Sequence, residues 1–200
     1  MAKPRDEDWH ALKRLGRYLI GRSRYVSVFK RQSRPSHLTV WVDTDWAGCR
    51  MTRKSTSGGV AEAGSRVLKC WSSTQSATAL SSGEAEYYGI ARGAGHGLGL
   101  RSLMMELGVE IDLRIKSDAS AAIGITNRRG LGKVRHLEVS TLWVQEKVSK
   151  CDFKLDKVRS EDNKADALTK HVDSVRLSQH IAAVSSQIES GRHALAPATA

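Results

Sequence analysis

The chain predicts an α/β fold: a five-stranded mixed sheet whose first three strands are antiparallel and whose last two are reached through helical crossovers, flanked by helices. Three observations carry that expectation. Two-residue periodicity runs through three consecutive segments between His37 and Ser72, and a long helical pattern then extends to Gly108. Two further β-like runs, at residues 112–118 and 153–158, are separated by helical segments, as crossover connections require. The composition, 40% hydrophobic and 26% charged over 200 residues with 3 prolines, suits one domain with appendages and a core of its own.

Within residues 1–37, Trp9, Leu12, Leu15, Tyr18 and Leu19 recur at three- and four-residue steps, the pattern of an amphipathic helix with Lys13, Arg14, Arg17 and Arg22 on its other faces. This segment holds ten of the 32 basic residues against three of the 21 acids. It reads equally as a solvated helix packing on a neighbour or as one facing nucleic acid. From His37 the run HLTVWVD is rich in β-branched and aromatic residues and stops at a polar cluster, as a strand does. Residues 56–63 and 66–72 add two strands, joined around Gly64-Ser65 into a meander. Ser82 is placed to cap a helix whose apolar positions Ile90, Leu98, Leu103, Met104 and Leu107 lead to Gly108. Gly89, Gly93, Gly95, Gly97 and Gly99 lie inside it, each costing up to ~1 kcal/mol against alanine, which implies a kink or close packing on another element. A strand at 112–118, a short helix at 119–126, a Gly/Arg-rich loop, a helix at 137–148, a strand at 153–158 and a last helix from Glu161 complete the order. Residues 171–200, ending LAPATA, read as a weakly ordered tail, so the expected division is a basic helical linker (1–37), a domain (38–170) and a tail.

The net charge of +11 points to a polyanionic partner. No apolar run approaches the roughly 18 residues of a membrane span, and MAKPRDEDWH is too polar for a secretory signal, so an intracellular chain without a membrane partner is expected. Cys49, Cys70 and Cys151 form no C-x-x-C pair and argue against a zinc or disulfide framework. No G-x-G-x-x-G passes through GAGHGLGL, and Ser65-Arg66 stands where a P-loop needs Lys-Ser/Thr, which sets nucleotide cradles aside.

Four acids fall where side chains from different elements can meet. Asp43 ends the first strand, Glu86 lies in the first turns of the long helix, Asp118 ends the fourth strand, and Asp166 opens the expected last helix. Taken singly, each is as well explained as a helix cap or a solvated charge. Together they would repel one another unless divalent cations with hard oxygen ligands, naturally Mg2+, offset the charge. A pair of such ions suits phosphodiester hydrolysis, and the basic chain suits a nucleic-acid substrate.

The blocks VDTDWAGCRMTRKSTSGGV, WSSTQSATALSSGEAEYYGIA, IKSDASAAI, VRHLEV and EDNKADALTK, in this order over residues 38–170, resemble the ribonuclease H domain of Ty1/copia-type retrotransposon Pol polyproteins. DEDWHALKRLGRYLIG resembles the segment joining the reverse transcriptase to that domain. The resemblance implies a ribonuclease H-like fold and cleavage of the RNA strand of an RNA/DNA hybrid. It implies two Mg2+ ions, with Mn2+ able to substitute, on catalytic Asp43, Glu86, Asp118 and Asp166. It also implies an upstream reverse transcriptase domain as partner, and a cytoplasmic or virus-like-particle setting. GEAEYYGI offers Glu84 beside Glu86, and VDTD offers Asp45 beside Asp43; Glu86 is chosen because it directly precedes the run from Tyr87-Tyr88, and Asp45 is the second choice to Asp43.

Arg53 and Lys54, after the first strand, and Arg128, Arg129, Lys133, Arg135 and His136, in the glycine-containing loop, are the expected hybrid contacts; His136 reads either as a mobile proton carrier or as a surface residue. Ser55, Thr56, Ser57 and the run Ser72–Ser76 can meet sugar hydroxyls or simply shape turns. Trp41, Trp71 and Trp143 are expected in the core. No Tyr-x-Asp-Asp occurs, so the polymerase itself is absent from these residues. The alternative reading is a non-catalytic nucleic-acid-binding relic or connection-type module of a retroelement polyprotein.

Overall fold

The computed structural model describes residues 4–132 and 137–195. Its strands are β1 (Arg24–Ser27), β2 (His37–Asp45), β3 (Thr56–Ala63), β4 (Arg66–Thr74), β5 (Asp112–Ser117), β6 (Lys154–Lys157) and β7 (Ser186–Glu189). Its α-helices are α1 (Asp6–Ile20), α2 (Ser82–Glu106), α3 (Ser120–Asn127), α4 (Trp143–Ser149) and α5 (Ser174–Ala183). The chain forms two compact units, residues 30–184 and the pair of segments 1–29 and 185–200.

In the larger unit the sheet order is β4-β3-β2-β5-β6, antiparallel from β4 to β2 and parallel from β2 to β6, the α/β architecture read from the sequence. The central strand β2 is buried along seven of its nine residues, which requires cover on both faces. One face, with Leu38, Val40 and Val42, packs with Tyr87, Ile90 and Ala94 of α2 and with Leu113 and Ile115 of β5. On the other face Trp41 packs with Val60 and Ala165. Lys116 and Lys164 lie 4.4 and 5.3 Å from the Trp41 ring centre, and the indole N–H donates to Glu62 Oε1 at 2.8 Å. Trp71 is half-buried against the core and Trp143 is 36% exposed, so of the three expected core tryptophans Trp143 sits at the surface.

The glycines of α2 divide by face. A Cβ on Gly89 would run into Thr44, one on Gly93 into Val42, and one on Gly97 would lie 2.7 Å from Leu113 Cδ1. These three, four residues apart, let the helix backbone lie directly on β2 and β5; Gly95 and Gly99 face open space. The contacts also set direction: α2 starts over the carboxyl end of β2, at Thr44, and runs back toward its start.

Three local expectations change. The helix expected at 137–148 is a 3-10 turn, Val139–Thr141, followed by α4 from Trp143. The N-cap of α2 is Ser81, whose hydroxyl accepts from the Glu84 N–H at 3.2 Å, one residue before the serine expected. No α-helix begins at Glu161; two 3-10 turns, Ser160–Asp162 and Asp166–Leu168, stand there instead. The reason is tertiary. Asn163 is extended, its side-chain amide donates to the Val42 carbonyl at 2.9 Å, and its Oδ1 accepts from the Ala165 N–H at 3.1 Å, so the chain is tied to β2 rather than coiled on itself.

In the smaller unit β1 pairs antiparallel with β7, with Arg24 and Glu189 ion-paired, while α1 carries exposed Trp9, Leu12, Leu15 and Leu19. Within the segment expected as a tail, Ser174–Ala183 form α5 in the larger unit and Ser186–Glu189 form β7 in the smaller.

Candidate active site

Parallel pairing of β2 with β5 brings their carboxyl ends to one edge of the sheet, and the reversed α2 starts at that edge. Asp43, Asp118 and Glu86 are therefore delivered from three elements to one place, where one oxygen of each carboxylate lies within 4.8 Å of the others. Asp43 is 3% exposed. The Thr169 hydroxyl donates to its Oδ2, and Lys170 Nζ lies 4.0 Å from the same oxygen. Ser160 Oγ donates to Asp118 Oδ2. Asp166, in the second 3-10 turn, is buried, pairs with Lys170, and is near enough to Asp43 to disfavour its ionisation.

Glu84 is not part of this group. It is buried at the start of α2, where Tyr88 Oη donates to one of its oxygens at 2.7 Å and the Leu80 N–H to the other at 2.8 Å. Asp45, beyond Asp43 on β2, folds its carboxylate against Gly48. Of the two acid pairs the sequence offered, the structure thus brings Asp43 and Glu86 together.

The electrostatics are those of acids crowded in a poorly hydrated place. Burial raises the Asp43 carboxyl above its ordinary value; Thr169 and Lys170 pull down, and Asp166 and Asp118 add to the rise. Glu86 is pushed up to about 8, first by burial and then by Asp43 and Asp118, against weaker help from the Thr44 amide and Lys170. Its Oε2 is buried with no hydrogen-bond partner. An orphaned carboxylate oxygen beside two others is a set of hard donors short of a cation, and a divalent, oxygen-seeking ion fits it.

A pH dependence follows. The folded state holds the Glu86 proton up to about 8, whereas an unfolded chain releases it near 4.5. Stability of the metal-free chain is therefore full below pH 4.5 as far as this group is concerned, and is lost as pH rises through the window up to about 8. Asp43 acts in the same sense, and Lys170 opposes both. Thermal melts in EDTA should show Tm falling from pH 5 to 8, with a shallower fall in Glu86→Gln; an unchanged slope in that variant would remove Glu86 as the source.

The expected hybrid contacts are placed less uniformly. Arg53 and Arg129 are exposed, Lys54 is half-buried, and Lys133, Arg135 and His136 lie outside the described residues. Arg128 is turned inward, its guanidinium donating to the Leu131 carbonyl beneath Gly132. Gln75 ties the end of β4 to the site: its Nε2 donates to Ser57 Oγ and to the Ala85 carbonyl, both at 2.8 Å. Thr169, Lys170, Ser160 and Asn163 were not singled out from sequence, although EDNKADALTK contains Asn163 and sets Lys170 four residues after Asp166.

A five-stranded mixed sheet in this order, with acids at the carboxyl ends of its central parallel strands, defines a ribonuclease H-like α/β domain. The chain is homologous over most of its length to Ty1/copia-type, retrovirus-related Pol polyproteins. It is 28% identical over 178 residues to the retrovirus-related Pol polyprotein from transposon RE2 of Arabidopsis thaliana, covering 88% of this chain and 12% of that protein. It is 30% identical over 174 residues to the corresponding polyprotein from transposon TNT 1-94 of Nicotiana tabacum, covering 86% and 13%. The chain thus spans about an eighth of the length of these relatives. Among solved structures it is similar to LC11-RNase H1 isolated from compost, with a TM-score of 0.48 and 16% identity, over 67% of this chain and 93% of that one. No family model matches the chain. Among the described residues, no helix is long and apolar enough to cross a membrane.

Proposed function

We propose that this chain is a Mg2+-dependent ribonuclease H that cuts the RNA strand of RNA/DNA hybrids endonucleolytically during reverse transcription, beside an upstream reverse transcriptase domain. The observation that supports it best is the convergence of one oxygen each from Asp43, Glu86 and Asp118 within 4.8 Å, with Glu86 Oε2 buried and without a hydrogen-bond partner. Asp43, Glu86 and Asp118 would hold one ion, and Asp43 with Asp166 a second; Mn2+ presents the same preference for oxygen ligands. The chemistry such ions supply is activation of a water for in-line attack on a phosphodiester and stabilisation of the leaving oxygen.

The chain's own groups position that chemistry. Thr169 and Ser160 fix one oxygen each on Asp43 and Asp118, which orients both carboxylates. Asn163 fastens the Asp166 segment to β2 one residue before Asp43, so the fourth acid is held by the strand that carries the first. Exposed Arg53 and Arg129 would meet backbone phosphates, which position a duplex without reading its sequence. Residues 38–170 would carry the activity, with residues 1–37 as the link from the polymerase side.

The test is cleavage of a strand-labelled RNA/DNA hybrid by the full chain with Mg2+, beside duplex DNA and duplex RNA. Cutting confined to the RNA strand of the hybrid is expected. Equal cutting of duplex DNA would instead indicate a DNA-directed nuclease of the same architecture, and hybrid binding without cutting would favour the non-catalytic module.

A further inference from the structure

Within the site sits one group whose role the metal-ligand reading leaves open. Lys170 Nζ pairs with Asp166 Oδ1 and lies 4.0 Å from Asp43 Oδ2, and among the described residues it bears on Asp43, Glu86 and Asp166 alike. The backbone that carries it is fixed from two sides. Asn163 ties the segment to the Val42 carbonyl, and Ser72 Oγ donates to the Leu168 carbonyl at 2.6 Å. The Lys170 side chain itself is 49% exposed. It borders a polar cleft of about 360 Å³ shared with Ser160, Glu161, Arg176 and His180, so it has somewhere to go.

Resting on the metal-site reading above, we propose that Lys170 is a tethered counter-cation that competes with the divalent ion: its ammonium neutralises Asp43 and Asp166 in the metal-free chain and must leave them when the site is loaded. The argument is electrostatic. Three clustered carboxylates with Asp166 bearing on one of them need positive charge in either state, and an ammonium supplies it without a ligand having to bind. A dication entering beside Asp43 is repelled by an ammonium 4.0 Å from the same carboxylate oxygen, and both cannot keep their partners in full. Lysine suits the task, being a flexible point charge on a long stem that can swing into the cleft and leave the backbone in place. The pair thus couples site loading to side-chain movement. Metal affinity is set below what the carboxylates alone would give, in exchange for a metal-free site that stays folded.

The experiment is titration of Mn2+ into the full-length wild type, Lys170→Met and Lys170→Arg by calorimetry at constant pH and ionic strength, with thermal melts of each in EDTA. Lys170→Met is expected to bind Mn2+ tighter, on the order of tenfold, and to melt at a lower temperature without metal. Lys170→Arg keeps the charge and should stay near wild type in both. Wild-type binding that Lys170→Met leaves unchanged or weakens would overturn this inference alone. A wild type that takes up no Mn2+ would overturn the metal-site reading, and the inference with it. Because Lys170 is half-exposed and its backbone is fixed by other residues, Lys170→Met should remain folded, which circular dichroism checks directly.

Discussion

Asp43→Asn is expected to abolish hydrolysis of the RNA strand, by roughly 10²- to 10³-fold at the least, the loss that follows removal of one group aimed at developing charge. Three features concentrate the effect on this residue. Asp43 is the most deeply buried of the clustered acids, stands on the central strand, and is the one shared between the proposed ion positions. Asparagine keeps the shape and can still accept from Thr169, so the β2 register and the Asp166–Lys170 pair should persist. Hybrid affinity measured in Ca2+ should therefore stay close to wild type while turnover in Mg2+ disappears. A variant that still cuts would remove Asp43 from the chemistry; one that loses hybrid binding and turnover together would make its role structural.

The second large effect concerns how Glu86 is held. Gly93→Ala should destabilise the chain by about 1–3 kcal/mol, because the new methyl meets Val42 Cγ1, a stiff β-branched side chain buried in the middle of the sheet. Helix propensity would favour the same change by up to ~1 kcal/mol, so the sign rests on the collision. Gly95→Ala supplies the control. Nothing lies within 4 Å of its added methyl, and stability should rise by up to ~1 kcal/mol. Chemical denaturation of the two variants separates them. If Gly93→Ala were also stabilising, α2 would not lie on β2 as closely as described. Since Val42 precedes Asp43 and α2 carries Glu86, Gly93→Ala should also weaken Mn2+ binding, and Gly95→Ala should not.

These residues show where a sequence is readable. The strands of the larger sheet declared themselves because β-branched and aromatic residues alternate between short turn signals, and a one-residue slip would turn a buried face outward. Asp43, Glu86 and Asp118 could be proposed because strand ends and a helix start are visible in the pattern, and Asp166 because its block carries the family resemblance. Which of Glu84 and Glu86 faces the site is less visible, since both are carboxylates within one turn. The structure separates them through Tyr88 and the Leu80 amide, which occupy Glu84. Likewise the five α2 glycines look alike until the rotation of the helix on the sheet is known. The helix expected from Glu161 was misread because the Asn163 amide takes its acceptor from a strand more than a hundred residues earlier. The pairing of β1 with β7 joins residues 24–27 to 186–189, a separation that no local pattern reports. Lys170 was passed over because a lysine in a basic chain looks solvated until three acids are found around it.

The central claim, that the clustered carboxylates make this chain a metal-dependent nuclease, is tested most directly by Mg2+-dependent cleavage of an RNA-labelled hybrid by wild type and Asp118→Asn, with hybrid affinity measured in parallel. The account expects cutting by wild type that EDTA stops, and binding without cutting by Asp118→Asn. Equal cutting by both proteins, or cutting that survives EDTA, would contradict it.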